Sequence, residues 1–248
     1  MKIAYIPLLL ILSACMLQGT AQNTIFLSQG KIEFERRVNQ YSQIEGDNEW
    51  SDLQKKTLSQ FKTTYFDMLF TRSKTLYKPG REGTGNSMGW FSEQPGQDNT
   101  VYTDLDNEKS ISQKKVFEET FLVTDSLRKI RWKLTDETRV IAGFNCRRAN
   151  AIIMDSLYVV AFYTDEILTT GGPESFSGLP GMILGIAMPH QHVTWFATKV
   201  EAVPVADTQL TPPQKGKKTD VAKLKETLNS AFKDWGKYAQ RFIQASLL

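Results

Sequence analysis

The sequence predicts a mainly β protein: an antiparallel, curved or partly closed sheet with a C-terminal amphipathic α-helix. Three observations carry this. Apolar residues alternate with polar ones in several segments joined by short turns, without helical periods between them, as in strands that follow one another in an antiparallel sheet. The stretch LYVVAFYT, residues 157–164, is apolar on both faces and suits a strand covered on both sides. Beyond residue 218 the apolar residues recur at steps of three and four, the helical spacing.

Taken in order, Ile32, Phe34 and Val38 alternate with charged residues, interrupted only by Arg36, so Gly30 to Tyr41 reads as the first strand. Trp50, Leu53, Thr57 and Phe61 fit a short helix starting at Ser51 or Asp52. Thr64 to Tyr77 reads as a strand with a partner reached through a turn. Lys78 to Asn99 holds five of the sixteen glycines and reads as a long loop, with Trp90 and Phe91 in its middle to pack on something. Val116 to Val123 and Lys129 to Leu134 read as strands, Asp136 and Glu137 as a turn, and Arg139 to Ile153 as the return strand. Met182 to Ile186 and His192 to Val200 continue the sheet. Pro204, Pro212, Pro213 and the lysines near 215–218 mark a linker over 204–218, and 219–248 reads as the helix, capped by Thr219 or Asp220.

The densest backbone signal is GPESFSGLPGMIL, residues 172–184. Gly172, Pro173, Gly178, Pro180 and Gly181 together specify one loop course, because glycine permits positive φ and proline fixes φ. Leu179 then plugs the mouth of the core, or with Phe176, Trp90 and Phe91 lines the rim of a cleft for a small apolar ligand.

The amino terminus reads as an export leader. Lys2 precedes an apolar run, Ile3 to Leu12, too short to span a bilayer of about 30 Å. Small residues at 19–21 suit cleavage that leaves a chain of 227 residues, 22–203 of which form the β-rich domain. The alternative is a lipobox over 12–15, with a leader of 1–14 and Cys15 acylated, and only then is a membrane a partner. Cys15 and Cys146 are the two cysteines, so no disulfide is expected, and Cys146 suits burial. Lys and Arg total 30 against 27 Asp and Glu, interspersed, with no basic stripe for nucleic acid.

No catalytic set assembles from sequence. ESFSG misses the G-x-S-x-G elbow, and Asp104 with Asp106 and Asp165 with Glu166 look like acids on solvated turns. His190 and His192 are the only histidines, and on a strand both would face one way as weak metal candidates, too few for a closed site. No cofactor is implied.

The segments RWKLTDETRVIAGFNCRRA, AFYTDEI and GPESFSGLPGMIL, in that order, resemble the GLPGLI family of exported Bacteroidetes proteins, over roughly Gly30 to Val203. Phe162 and Met182 replace the family's more usual Trp and Leu with similar apolar bulk. The resemblance implies export to the periplasm or outer membrane, a β-rich fold, and company with outer-membrane transport proteins, without catalytic residues. The expectation is therefore a non-catalytic binding or accessory protein of the cell envelope, with an envelope hydrolase or metal-binding enzyme as the alternative.

Overall fold

The computed structural model describes residues 26–44, 46, 48–86 and 94–248. The expected leader with Cys15, and the aromatic pair Trp90 and Phe91, lie outside the described residues. Twelve strands form one sheet: β1 Gly30–Asn39, β2 Phe61–Phe70, β3 Lys74–Pro79, β4 Thr100–Asp104, β5 Lys109–Val116, β6 Glu119–Ser126, β7 Lys133–Ile141, β8 Phe144–Ile153, β9 Leu157–Thr164, β10 Met182–Met188, β11 Val193–Glu201 and β12 Lys217–Thr219. Their spatial order is β12-β6-β5-β4-β3-β2-β1-β11-β10-β9-β8-β7. The sheet is thus two antiparallel meanders, β1 to β6 and β7 to β11, joined where β1 pairs with β11, and β12 adds a parallel edge beside β6.

Strand periodicity explains β1. Ile32, Phe34, Arg36 and Val38 all face inward and are buried, while the residues between them are more exposed. Ile32 and Phe34 join Phe66, Met68, Phe70, Tyr77 and the apolar residues of β9 to β11 in the main core. Each such side chain removed from water stabilises the fold by about 1.5–3 kcal/mol. Phe66 stacks on Tyr77 with ring centres 4.6 Å apart, an arrangement worth about 0.5–1.5 kcal/mol beyond its buried area.

Several expected boundaries move. The expected strand Val116 to Val123 is the tip of the β5–β6 hairpin, where Phe117 turns the chain with φ 53. Lys129 to Leu134 is mostly irregular, and β7 runs straight through Asp136 and Glu137, absorbing an irregularity between Leu134 and Thr138. The turn lies instead at Ala142 and Gly143, both with positive φ. Trp132, set between charged neighbours, lies outside β7, and its indole nitrogen donates to the Ser177 carbonyl (2.9 Å).

The expected C-terminal helix is two helices, α2 Val221–Ala231 and α3 Lys237–Ser246, separated at Gly236, whose φ is 57. Asp220 caps the first by accepting from the Lys223 amide (2.8 Å). Leu224, Leu228, Phe232 and Ile243 form a second core with Val116, Phe121 and Val123 of β5 and β6, so the helices cover the sheet at that limb. The first helix, α1 Glu49–Thr57, starts a few residues earlier than the expected Ser51 or Asp52, because Asn48 caps it: Asn48 Oδ1 accepts from the Ser51 amide (2.9 Å) and Ser51 Oγ from the Asn48 amide (3.1 Å). Among the described residues no helix is long and apolar enough to cross a membrane.

The Gly/Pro segment crosses the inner face between β9 and β10. Thr169 Oγ1 donates to the Thr71 carbonyl (2.7 Å), and the Ile183 amide to Gly171 (2.8 Å), which pins the loop to both limbs. Leu179 and Phe176 are buried in the main core. Gly181 has φ 137 and lies against the Thr164 carbonyl, where any side chain would collide.

Candidate functional site

Between α1, α3, the inner face of β1 and β11, and the loop preceding β4 lies a cavity of about 720 Å³. Its chemistry begins with register. Arg36 of β1 stands directly opposite Trp195 of β11, so its guanidinium lies over the indole, 5.4 Å from the ring centre. Arg36 Nη2 donates to the Pro95 carbonyl (2.8 Å), while Nε and Nη1 are buried without a partner among the described residues.

Glu174, second residue of the turn that the Phe176 amide closes onto the Pro173 carbonyl (3.2 Å), also lines the cavity. It is 2% exposed and has φ 54, a backbone conformation that costs a residue with a side chain of order 1–3 kcal/mol. Its Oε2 accepts from Asn99 Nδ2 (2.8 Å), and its Oε1 is buried without a partner among the described residues. Gly96 approaches both charged groups: a Cβ built there would stand 3.5 Å from Glu174 Oε1 and 3.9 Å from Arg36 Nη2. A methyl-sized group beside Gly96 would therefore rest in ordinary contact with both.

Lys114 sits behind this pair. The β4–β5 register matches Thr100 with Gln113, so Lys114 follows opposite Asn99, buried and facing inward with Ser112 and Val116. Burial pushes its ammonium down to about 8, against the attraction of Glu174. Burial likewise raises the Glu174 carboxyl above the usual range, opposed by Lys114, the Asn99 hydrogen bond and Arg36.

The walls have a different character. Three tryptophans line them: Trp195 from β11, Trp50 from α1, two-thirds exposed, and Trp235 before α3. Among the described residues four glutamines, Gln43, Gln54, Gln94 and Gln191, line the cavity with them. Helical spacing puts Trp50 and Gln54 on one face of α1. Arg241 of α3 is fixed by donating from Nε to Gln191 Oε1 (3.2 Å) and from Nη2 to the Gln191 carbonyl (2.8 Å).

Of the residues singled out in the sequence, the Gly/Pro segment contributes Glu174 to the cavity, while Leu179, Phe176, Gly172, Pro173 and Gly181 are buried, and Gly178 and Pro180 lie exposed. His190 and His192 occupy a short 3₁₀ turn rather than a strand, with His192 at φ 53. Among the described residues no group of three or more His, Cys, Asp or Glu side chains is placed to hold a metal. Cys146 is buried in the core, and burial pushes its thiol up to about 12. The charged centre went unrecognised because its members are scattered over the chain. One signal was available: Arg36 interrupts the alternation of β1 by standing at an inward position.

Fold and cavity together describe a β-sheet protein with an aromatic and amide-lined cleft closing on a buried acid. The chain belongs to the family described as "N-glycanase peptide, N-terminal domain", which matches residues 94–226, just over half of its length and including the Gly/Pro segment. No curated protein matches it. Its fold is similar to PNGF-II in two crystal forms, each with a TM-score of 0.50 and 16% identity, covering 81% and 80% of this chain. The chain spans about a third of the length of those structures. This membership overturns the expectation of a non-catalytic binding or accessory protein, because the family is named for an enzyme. Neighbouring residues in the chain carry no nucleophile with its base and no buried acid pair, whereas the fold assembles one acid with cations from distant strands.

Proposed function

We propose that this chain acts on N-glycans: the cavity holds the saccharide, and Glu174 gives or takes a proton during hydrolysis of the glycan linkage. The observation that carries this reading is the convergence of three tryptophans and four glutamines on one buried carboxyl. Indole rings pack on the apolar faces of sugars, and glutamine amides donate to and accept from hydroxyl groups, so the walls suit a carbohydrate better than a wholly apolar ligand. A buried carboxyl held above its usual range is suited to exchanging a proton with a ligand. Its partnerless Oε1 is the atom that would exchange that proton. The family name supports N-linked glycans as the substrate class. The leader-like residues 1–21 support action in the cell envelope, outside the cytoplasm.

The test is incubation of the purified chain with a defined N-glycopeptide, followed by peptide mass spectrometry. Hydrolysis at the asparagine amide leaves aspartate, whereas hydrolysis between sugars leaves asparagine carrying a residual sugar. Release that disappears in Glu174→Gln, with glycopeptide binding retained, supports the reading. A chain that neither binds nor cleaves the glycopeptide refutes it.

A further inference from the structure

The charge of the cavity narrows the saccharide it would take, an inference that rests on the proposed reading of the cavity as a carbohydrate site. Among its described lining residues the charged side chains are Arg36, Arg241 and Glu174, and Asp98 is a second acid that attracts Arg36. Lys114 is a third cation, buried and attracted by Glu174. Buried cations are costly unless something negative compensates them. Arg36 has two buried nitrogens without hydrogen-bond partners among the described residues, yet Glu174 and Asp98 both attract it, whereas Arg241 is pushed down by burial alone.

Arg241 is also preorganised. Its guanidinium is tied at Nε and Nη2 to Gln191, whose own side-chain amide donates to Gln244 Oε1 (3.0 Å). Fixing a cation before the ligand arrives reduces the ordering cost of binding. A neutral sugar would leave the Arg241 charge unanswered, while Trp50 and Trp195 can pack on a sugar ring whatever its charge.

We propose that the cavity selects saccharides carrying an anionic group, with Arg241 pairing directly with that group and Arg36 and Lys114 supplying the field behind it. The anion is a carboxylate, as in sialic or uronic acids, or a sulfate ester, and both present oxygen acceptors that a guanidinium binds through charge-assisted hydrogen bonds.

The test compares three glycopeptides with one peptide and core: sialylated, sulfated and neutral. Calorimetry on the full chain at low salt should give binding roughly tenfold tighter for at least one anionic glycan than for the neutral one, and whichever anionic form is preferred identifies the group. The preference should shrink as salt rises, and it should vanish in Arg241→Gln. Equal affinity for all three overturns the inference but leaves the saccharide reading intact, whereas no binding of any of them overturns both. A preference that survives both added salt and Arg241→Gln also overturns it. The salt series on the unaltered protein decides the matter even if the variant does not fold.

Discussion

Asn99 donates a 2.8 Å hydrogen bond to Glu174, tying the residue before β4 to the Gly/Pro segment 75 residues away in the chain. One oxygen of the carboxyl is thereby anchored. The other, facing the space beside Gly96, has no partner among the described residues. The arrangement holds an acid in one orientation and leaves it chemically available.

Glu174→Gln should lower glycan hydrolysis by roughly 100-fold or more, the usual cost of losing a positioned proton-transfer group. It should also alter the dependence of stability on pH. Burial raises the carboxyl's folded pKa above its unfolded value, so the folded state holds this proton more tightly. That contribution is fully present below the ordinary carboxylate range and is lost as pH rises through the raised value. Melting temperatures from acidic to neutral pH should therefore fall less steeply in Glu174→Gln than in the unaltered protein.

Lys114→Met should stabilise the protein at neutral pH. The folded pKa of about 8 lies below the ordinary 10.5, so stability is lost as pH falls from the unfolded value through the folded one. The methionine variant escapes that loss, a gain on the order of 3 kcal/mol. Urea denaturation at neutral pH and above the unfolded lysine pKa should show a large difference at the first and a small one at the second. The same substitution removes a cation that favours ionised Glu174, so the activity profile should shift toward higher pH.

Gly181→Ala should cost about 3 kcal/mol or more. The residue must adopt φ 137 and its side chain would meet the Thr164 carbonyl, so strain and collision act together. Thermal unfolding measures the loss, and a shift of less than a degree would show that the segment can move aside.

Cys146 should resist thiol reagents in the native state, because its thiol is fully buried and pushed up to about 12. In a chain with Cys15→Ser, labelling by iodoacetamide should appear only after denaturant is added. Rapid native labelling would contradict the packing around β8.

Much of the sheet was legible because burial imposes short periods on sequence. β9 was read with its observed limits, Leu157–Thr164, since both of its faces are largely buried and its residues are nearly all apolar. β5 escaped notice because KSISQKKV is polar, and its inward positions include Ser112 and Lys114 rather than a run of aliphatics. The hairpin after it was hidden because Phe117, with no glycine or proline beside it, takes the positive φ. The break between α2 and α3 was missed because the apolar spacing continues across Gly236, with Phe232, Trp235 and Phe242 packing together on Phe117.

The candidate site was less legible for a different reason. Arg36, Asn99, Lys114 and Glu174 come from β1, a loop, β5 and a turn, and only the three-dimensional path of the sheet brings them together. Local periodicity contains no term for that path. What it does contain is the anomaly of a charged residue at an inward register position, seen at Arg36 and again at Lys114. The Gly/Pro segment was prominent for its backbone, yet its contribution to the cavity comes from Glu174, the acid in its midst.

The pairing of β1 with β11 also bears on assembly. β1, the first strand of the described residues, must wait for β11 before both of its edges are satisfied. Pairings between such remote stretches slow folding, and a half-made sheet exposes an adhesive rim to its neighbours. The protein should therefore mature late and slowly, and dilution or a holding chaperone should improve its recovery more than added time alone.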